Sequence, residues 1–255
     1  MLPQTGTIFI IGGSDSSSEV IREATAHDGH YNVNIINDNM GFEFEFGRCI
    51  HNPYTNKSYA CFDVNEQDTC HSFTDIASAN YTRMQTRKSH YGGDLVVHNN
   101  KLTAIGGSPW DHNGVVEVLS ELTGKWDPTV IPPLKRKLFL FTALSIQGNL
   151  YVFGGINWTG RKRVGKRKFT STNPPEDRMP GLRIAGTKWK PSKAVFKFMA
   201  NGSKWTTRAE DNLKEPKYYH RSIIWNHKIF HVGGCSGKTT CSGTNCIEPS
   251  DCGVR

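Results

Sequence analysis

No run of apolar residues in this 255-residue chain approaches the roughly 18 needed to cross a bilayer, so no membrane span is expected. The opening Met1-Leu2-Pro3-Gln4-Thr5-Gly6 lacks the basic and extended apolar regions of an export signal, and Ile8–Ile11 reads instead as a short strand. Charge is also sparse. Charged residues make up 21% of the chain against 36% hydrophobic, which excludes wholesale disorder and allows a buried core. The sequence has no H-E-x-x-H pair, no G-x-S-x-G elbow and no C-x2-C knuckle, and its ten histidines are scattered, so neither a metal, a cofactor nor a catalytic set is expected.

What the chain does have is glycine, 25 in all, and four of its short apolar runs stop at a glycine pair. The pairs are Gly12-Gly13 after Ile8–Ile11, Gly106-Gly107 after Leu102–Ile105, Gly154-Gly155 after Leu150–Phe153, and Gly233-Gly234 after Ile229–Val232. Each reads as a buried strand ending where the backbone needs positive φ or close approach. Turn residues precede three of these runs, at Asn99-Asn100, Gly148-Asn149 and Asn226-His227, with another strand-like run upstream, so each unit contains a hairpin. Trp126 and Trp205 follow turn-like segments, and each lies 29 residues before the next glycine pair ends, at Gly155 and Gly234.

Hairpin, Gly-Gly, a third strand and a Trp-bearing fourth strand resemble the kelch motif, whose units of roughly 50 residues each form one four-stranded blade of a β-propeller. The spacing from Gly107 to Gly155 is 48, and that from Gly13 to Gly107 is 94, which leaves room for a degenerate unit with Asp63-Val64 where the glycines should be. The expected fold is therefore all-β, a kelch-type propeller of four to five recognisable blades. It spans 1–234 in units of about 1–40, 41–86, 87–133, 134–215 and a partial 216–234, with a cysteine-rich tail at 235–255. The family pattern closes five to seven full blades, so the ring is expected to be incomplete or atypically closed, consistent with a piece of a longer chain.

The fourth unit carries an insertion of about 31 residues, placed between its second and third strands at 157–193. Eleven Lys/Arg against two acidic residues give it a net charge of +9, and since the whole chain is +8, the remainder sums to −1. Three readings stand side by side for its core, Arg161, Lys162, Arg163, Lys166, Arg167 and Lys168: a solvated loop, a contact for an acidic partner, or an import signal. Nucleic acid is the least favoured partner.

Four of the seven cysteines, Cys235, Cys241, Cys246 and Cys252, crowd the tail in C-x5-C-x4-C-x5-C spacing, and Cys61 and Cys70 sit on neighbouring strand-like runs. Disulfides are expected among these six, although buried reduced thiols fit Cys61 and Cys70 equally well. Sequons at Asn56, Asn80, Asn157 and Asn201 lend slight support to secretion. Cysteine usage thus favours an extracellular location, while the N-terminus leaves a cytoplasmic one open. Gly234-Cys235-Ser236-Gly237-Lys238-Thr239 is not a phosphate loop, because that pattern needs glycine where Val232 stands.

The kelch resemblance implies a non-enzymatic scaffold that docks a partner protein on its inter-strand loops, with Trp110, Asp111, His112 and Trp158 as candidate contacts beside the basic insert. The alternative is an extracellular enzyme or carbohydrate-binding protein on a galactose-oxidase-like propeller.

Overall fold

The computed structural model describes residues 7–11, 21–27, 30–37, 44, 47–74, 80–107, 114–158, 189–199, 202–236, 241–242 and 245–246. All regular structure among them is β, arranged as small antiparallel sheets with no closed barrel and no helix. Three sheets are four-stranded and antiparallel; in the first two each strand pairs with the next in sequence, whereas in the third the two inner strands pair across an excursion that holds two strands of another sheet, Ile156–Trp158 and Trp189–Pro191. The first comprises Arg48–Asn52, Lys57–Cys61, Thr69–Phe73 and Tyr81–Gln85, and the second Asp94–His98, Lys101–Ile105, Val116–Ser120 and Lys125–Asp127. The third comprises Thr142–Ile146, Asn149–Phe153, Val195–Phe198 and Trp205–Thr207. A two-stranded hairpin, Arg221–Trp225 with Lys228–Val232, follows them, and a three-stranded sheet, Thr7–Ile11, Ile21–His27 and His30–Asn37, precedes them.

The turns explain why these residues form these hairpins. Asn99-Asn100, Gln147-Gly148 and Asn226-His227 all have positive φ, as a two-residue turn matched to the right-handed strand twist requires. In the third sheet the turn is thus one residue earlier than the expected Gly148-Asn149.

Beyond the hairpins, Gly106 and Gly107 take φ of 55° and 96°, and a Cβ on Gly107 would stand 2.5 Å from the His90 carbonyl oxygen, which only glycine avoids. Gly154, Gly155, Gly233 and Gly234 are likewise at positive φ. In the first sheet this place is filled by Phe62-Asp63, one residue before the expected Asp63-Val64. Phe62 has φ 64° and donates its N–H to Thr69 O, as Gly106 does to Val115 O and Gly154 to Ala194 O. Burial offsets the strain of a left-handed aromatic residue: Phe62 is fully enclosed, its ring 5.0 Å from His90 and 6.5 Å from Trp126.

The core lies between successive sheets. Tyr59 and Phe62 of the first pack with Leu95, Leu102, Leu119 and Trp126 of the second, while Ile105, Val116 and Val118 pack with Phe141, Val152, Phe196 and Trp205 of the third. Trp126 and Trp205 occupy the same place in their fourth strands, opposite Leu119 and Phe198. Their polar ends differ: Trp205 Nε1 donates to Pro132 O at 2.7 Å, whereas Trp126 Nε1 is buried without a hydrogen bond.

Another enclosed tie holds the second sheet to its neighbours. Glu117 accepts the Arg87 and Lys88 amides at 3.1 and 3.2 Å and meets His90 Nε2 at 2.9 Å, and His90 Nδ1 lies 2.7 Å from Gly106 O.

Cys61 and Cys70 face each other across the second and third strands of the first sheet and are disulfide-bonded. Cys235 is also disulfide-bonded, and Cys49 is free.

Candidate functional site

The four first strands, starting at Arg48, Asp94, Thr142 and Arg221, lie side by side in that order. Their initial residues join across the sheets. Arg48 Nε is 3.3 Å from Asp94 Oδ1, Asp94 Oδ2 accepts the Ala143 amide at 2.6 Å, and Thr142 Oγ1 accepts the Ser222 amide at 3.1 Å. Two residues before each of the last three, Gly92, Leu140 and Tyr219 have positive φ, and their backbones link in turn: Leu140 N–H to Gly92 O at 2.5 Å, Tyr219 N–H to Leu140 O at 2.9 Å. The same local geometry thus recurs at equivalent places, set by the repeat rather than by side-chain identity.

These strands wall an open cleft of about 410 Å³, into which His51, Tyr54, Val97 and Ser145 also project. A narrower chamber of about 120 Å³, lined by Tyr91, Gly92 and Tyr219, shares Arg48 and Arg221 with the cleft. The two arginines therefore stand at the waist between a wide mouth and a small chamber.

Burial pulls the Arg48 guanidinium below its usual value, with Asp94 opposing and the like charge of Arg221 reinforcing the shift. Burial likewise pushes Tyr91 up to about 12. Behind the waist sits His220, fully buried, with neither ring nitrogen hydrogen-bonded. Burial first, then His231, Lys217 and Arg221, lower it to about 4.

A second surface lies on the 221–232 hairpin. Its register sets Ile223 opposite Phe230, Trp225 opposite Lys228 and Arg221 opposite Val232, which places all six on one face. Ile223, Trp225, Phe230 and Val232 are 50%, 53%, 38% and 48% exposed, an apolar patch on the order of 400 Å². The opposite face is anchored: Ser222 is buried and bonds His231 at 2.6 Å, and the His231 ring stacks edge-on to Phe153. In the first and second sheets, the residues equivalent to Phe230 are Tyr59 and Thr103, both wholly buried, and Tyr59 reaches across to Glu121 of the next sheet. The hairpin thus exposes a face that the first two sheets cover and that the third, where Tyr151 stands at the equivalent place, leaves half-buried. Among the described residues, Lys228–Val232 pairs only with Arg221–Trp225, so its outer edge is also unpaired.

Trp110, Asp111, His112 and Arg161 through Lys168 lie outside the described residues, as do Gly12, Gly13 and Cys252. Trp158 ends the strand Ile156–Trp158, which pairs with Trp189–Pro191 and Leu138–Phe139 at the root of the insertion. Cys241 and Cys246 are opposed in a two-residue ladder. The hairpin face and the arginine waist were not foreseen. The alternation of Ile223, Trp225 and Phe230 was visible, but its exposure was not, and the waist has no sequence signal because its residues, Arg48, Asp94, Thr142 and Arg221, keep no common type across the repeats. Among the described residues, no group of three or more His, Cys, Asp or Glu is placed to hold a metal ion, and no helix is long and apolar enough to cross a membrane.

No family model matches the chain, and no curated protein does. A solved structure described as "Structure of YjhT" is similar over 90% of this chain and 88% of its own, at 11% identity and a TM-score of 0.45. A likeness that distant carries no argument about fold or function.

Proposed function

We propose that this protein is a non-enzymatic, protein-binding scaffold built as a kelch-type β-propeller, and that it docks its partner on the exposed face of the 221–232 hairpin. The architectural half rests on the three four-stranded antiparallel sheets, whose first strands adjoin, and on the turn and glycine-pair geometry that the second and third share with the 221–232 hairpin. The functional half rests on one observation: Ile223, Trp225, Phe230 and Val232 form a contiguous apolar patch on a face that the first two sheets bury. Patches of several hundred Å² on a folded surface mark interaction sites, and aromatic anchors dominate interface energetics. The unpaired edge of Lys228–Val232 suits an extended, apolar partner segment, whose main chain would extend the sheet while its side chains cover the patch. The Cys61–Cys70 disulfide supports an oxidising compartment for this encounter.

The test is a photo-cross-linking residue at position 230 in the full chain, expressed in an exporting cell, with the captured protein then purified. We expect it to bind the wild-type chain in a defined stoichiometry, and Ile223→Asp with Phe230→Asp to weaken binding about tenfold or more at an unchanged melting temperature. An affinity indifferent to the double substitution would overturn the reading, as would cross-linking confined to residues far from the hairpin.

A further inference from the structure

The arginine waist has a charge imbalance that the docking surface does not use. Asp94 is the carboxylate at this point, and its oxygens are fully engaged: Oδ1 meets Arg48 Nε at 3.3 Å and accepts the Leu95 amide at 3.0 Å, and Oδ2 accepts the Ala143 amide at 2.6 Å. Arg48 is held in place by the Gly93 and Gly47 carbonyls, at 2.9 and 3.1 Å. Its charge is therefore matched and its side chain positioned. Arg221 differs. It is solvent-exposed and makes no hydrogen bond or ion pair among the described residues, yet it lines both the cleft and the small chamber. Its field reaches Arg48, Cys49 and His220. Among the described residues that line the cleft and the chamber, the two guanidinium groups face one carboxylate, Asp94, with Asp63 further off and acting on Tyr91, one of the two tyrosines that wall the chamber.

From this geometry we infer a small-molecule site at the waist that takes an oxyanion head group, a carboxylate or a phosphate, with Arg221 as its principal ligand and Tyr91 and Tyr219 as the walls around it. The dimensions agree. A chamber of about 120 Å³ has room for about four waters at ~30 Å³ each, which is the size of one such head group, while the 410 Å³ cleft above it accommodates the remainder of a larger ligand. Guanidinium suits the task because its planar fork matches carboxylate and phosphate oxygens in pairs. The open mouth lets the ligand enter without a conformational change. Arg221 lies at the foot of the docking hairpin, but the site needs no protein partner, so the two readings stand or fall separately.

The experiment titrates the full chain with inorganic phosphate and, separately, with acetate, at constant ionic strength, by calorimetry and by the NMR resonances of the arginine side chains. Saturable binding of either anion is expected, with the dissociation constant raised about tenfold or more in Arg221→Gln and by less in Arg221→Lys, which keeps the charge and loses the fork. Binding of phosphate alone assigns a phosphoryl head group, and binding of acetate assigns a carboxylate. Arg221 is exposed, so an unchanged thermal midpoint will show that the variants are folded. Absence of saturable binding by both anions would overturn the inference, as would equal affinities in wild type and Arg221→Gln.

Discussion

Acidification from about pH 7.5 to about pH 5 should weaken this fold through two buried histidines, His71 and His220. Both are lowered from 6.5 to about 4: His71 by burial and then by Arg83, with Asp63 opposing, and His220 by burial and then by His231, Lys217 and Arg221. A base whose folded value is depressed stays neutral in the native state while the unfolded chain takes up a proton. Stability is therefore whole above about pH 6.5 and falls as pH drops toward 4. For a shift from 6.5 to about 4, the loss already reached at pH 5 is about 2 kcal/mol per histidine, or about 4 kcal/mol for the pair, a large part of the 5–15 kcal/mol typical of a domain. His98 and His231 are shifted in the same direction and add to the loss. The Asp127 carboxylate, lowered by its bonds to Thr129, titrates only below this window. Urea unfolding at pH 7.5 and pH 5 measures the effect. His71→Gln with His220→Leu should flatten the difference between the two pH values, and comparing each variant with itself cancels the structural cost of substitution. An unfolding free energy in the wild type that is equal at both pH values, or a pH dependence that persists entire in the double variant, would refute the reasoning.

Glu117→Ala should cost about 3–5 kcal/mol in urea unfolding, because it strands the Arg87 and Lys88 amides and the His90 ring without their acceptor, whereas Glu117→Gln, which keeps one acceptor oxygen, should cost less. Trp205→Phe should destabilise more than Trp126→Phe, by about 1 kcal/mol in parallel denaturation curves, because only Trp205 loses a hydrogen bond, to Pro132 O, while Trp126 sheds an unbonded N–H.

Much of the local structure was legible in the residues, for reasons that act over a few positions. Asn, Gly and His at the hairpin tips specify left-handed turns, and paired glycines end strands where a Cβ would strike a neighbouring carbonyl, as at Gly107 against His90. The equal spacing of Trp126 and Trp205 from the following glycine pairs placed both in the same register of their fourth strands. The phasing slipped by one residue at Phe62, because a buried aromatic in left-handed backbone leaves no glycine to mark it.

Composition and local pattern alone therefore determined an all-β chain of repeated hairpins, with Cys61 and Cys70 as candidate partners. Tertiary structure decided the rest. Arg48, Asp94, Thr142 and Arg221 become neighbours only because successive sheets set their first strands side by side, bringing together residues as far apart as 48 and 221 that share a register. His220 is neutral and Arg221 charged and exposed although they adjoin in sequence, since strand alternation turns one into the packing between sheets and the other into the open waist. Whether Ile223, Trp225 and Phe230 are core or surface is likewise no property of those residues; it depends on whether another sheet covers their face, and among the described residues none covers this hairpin.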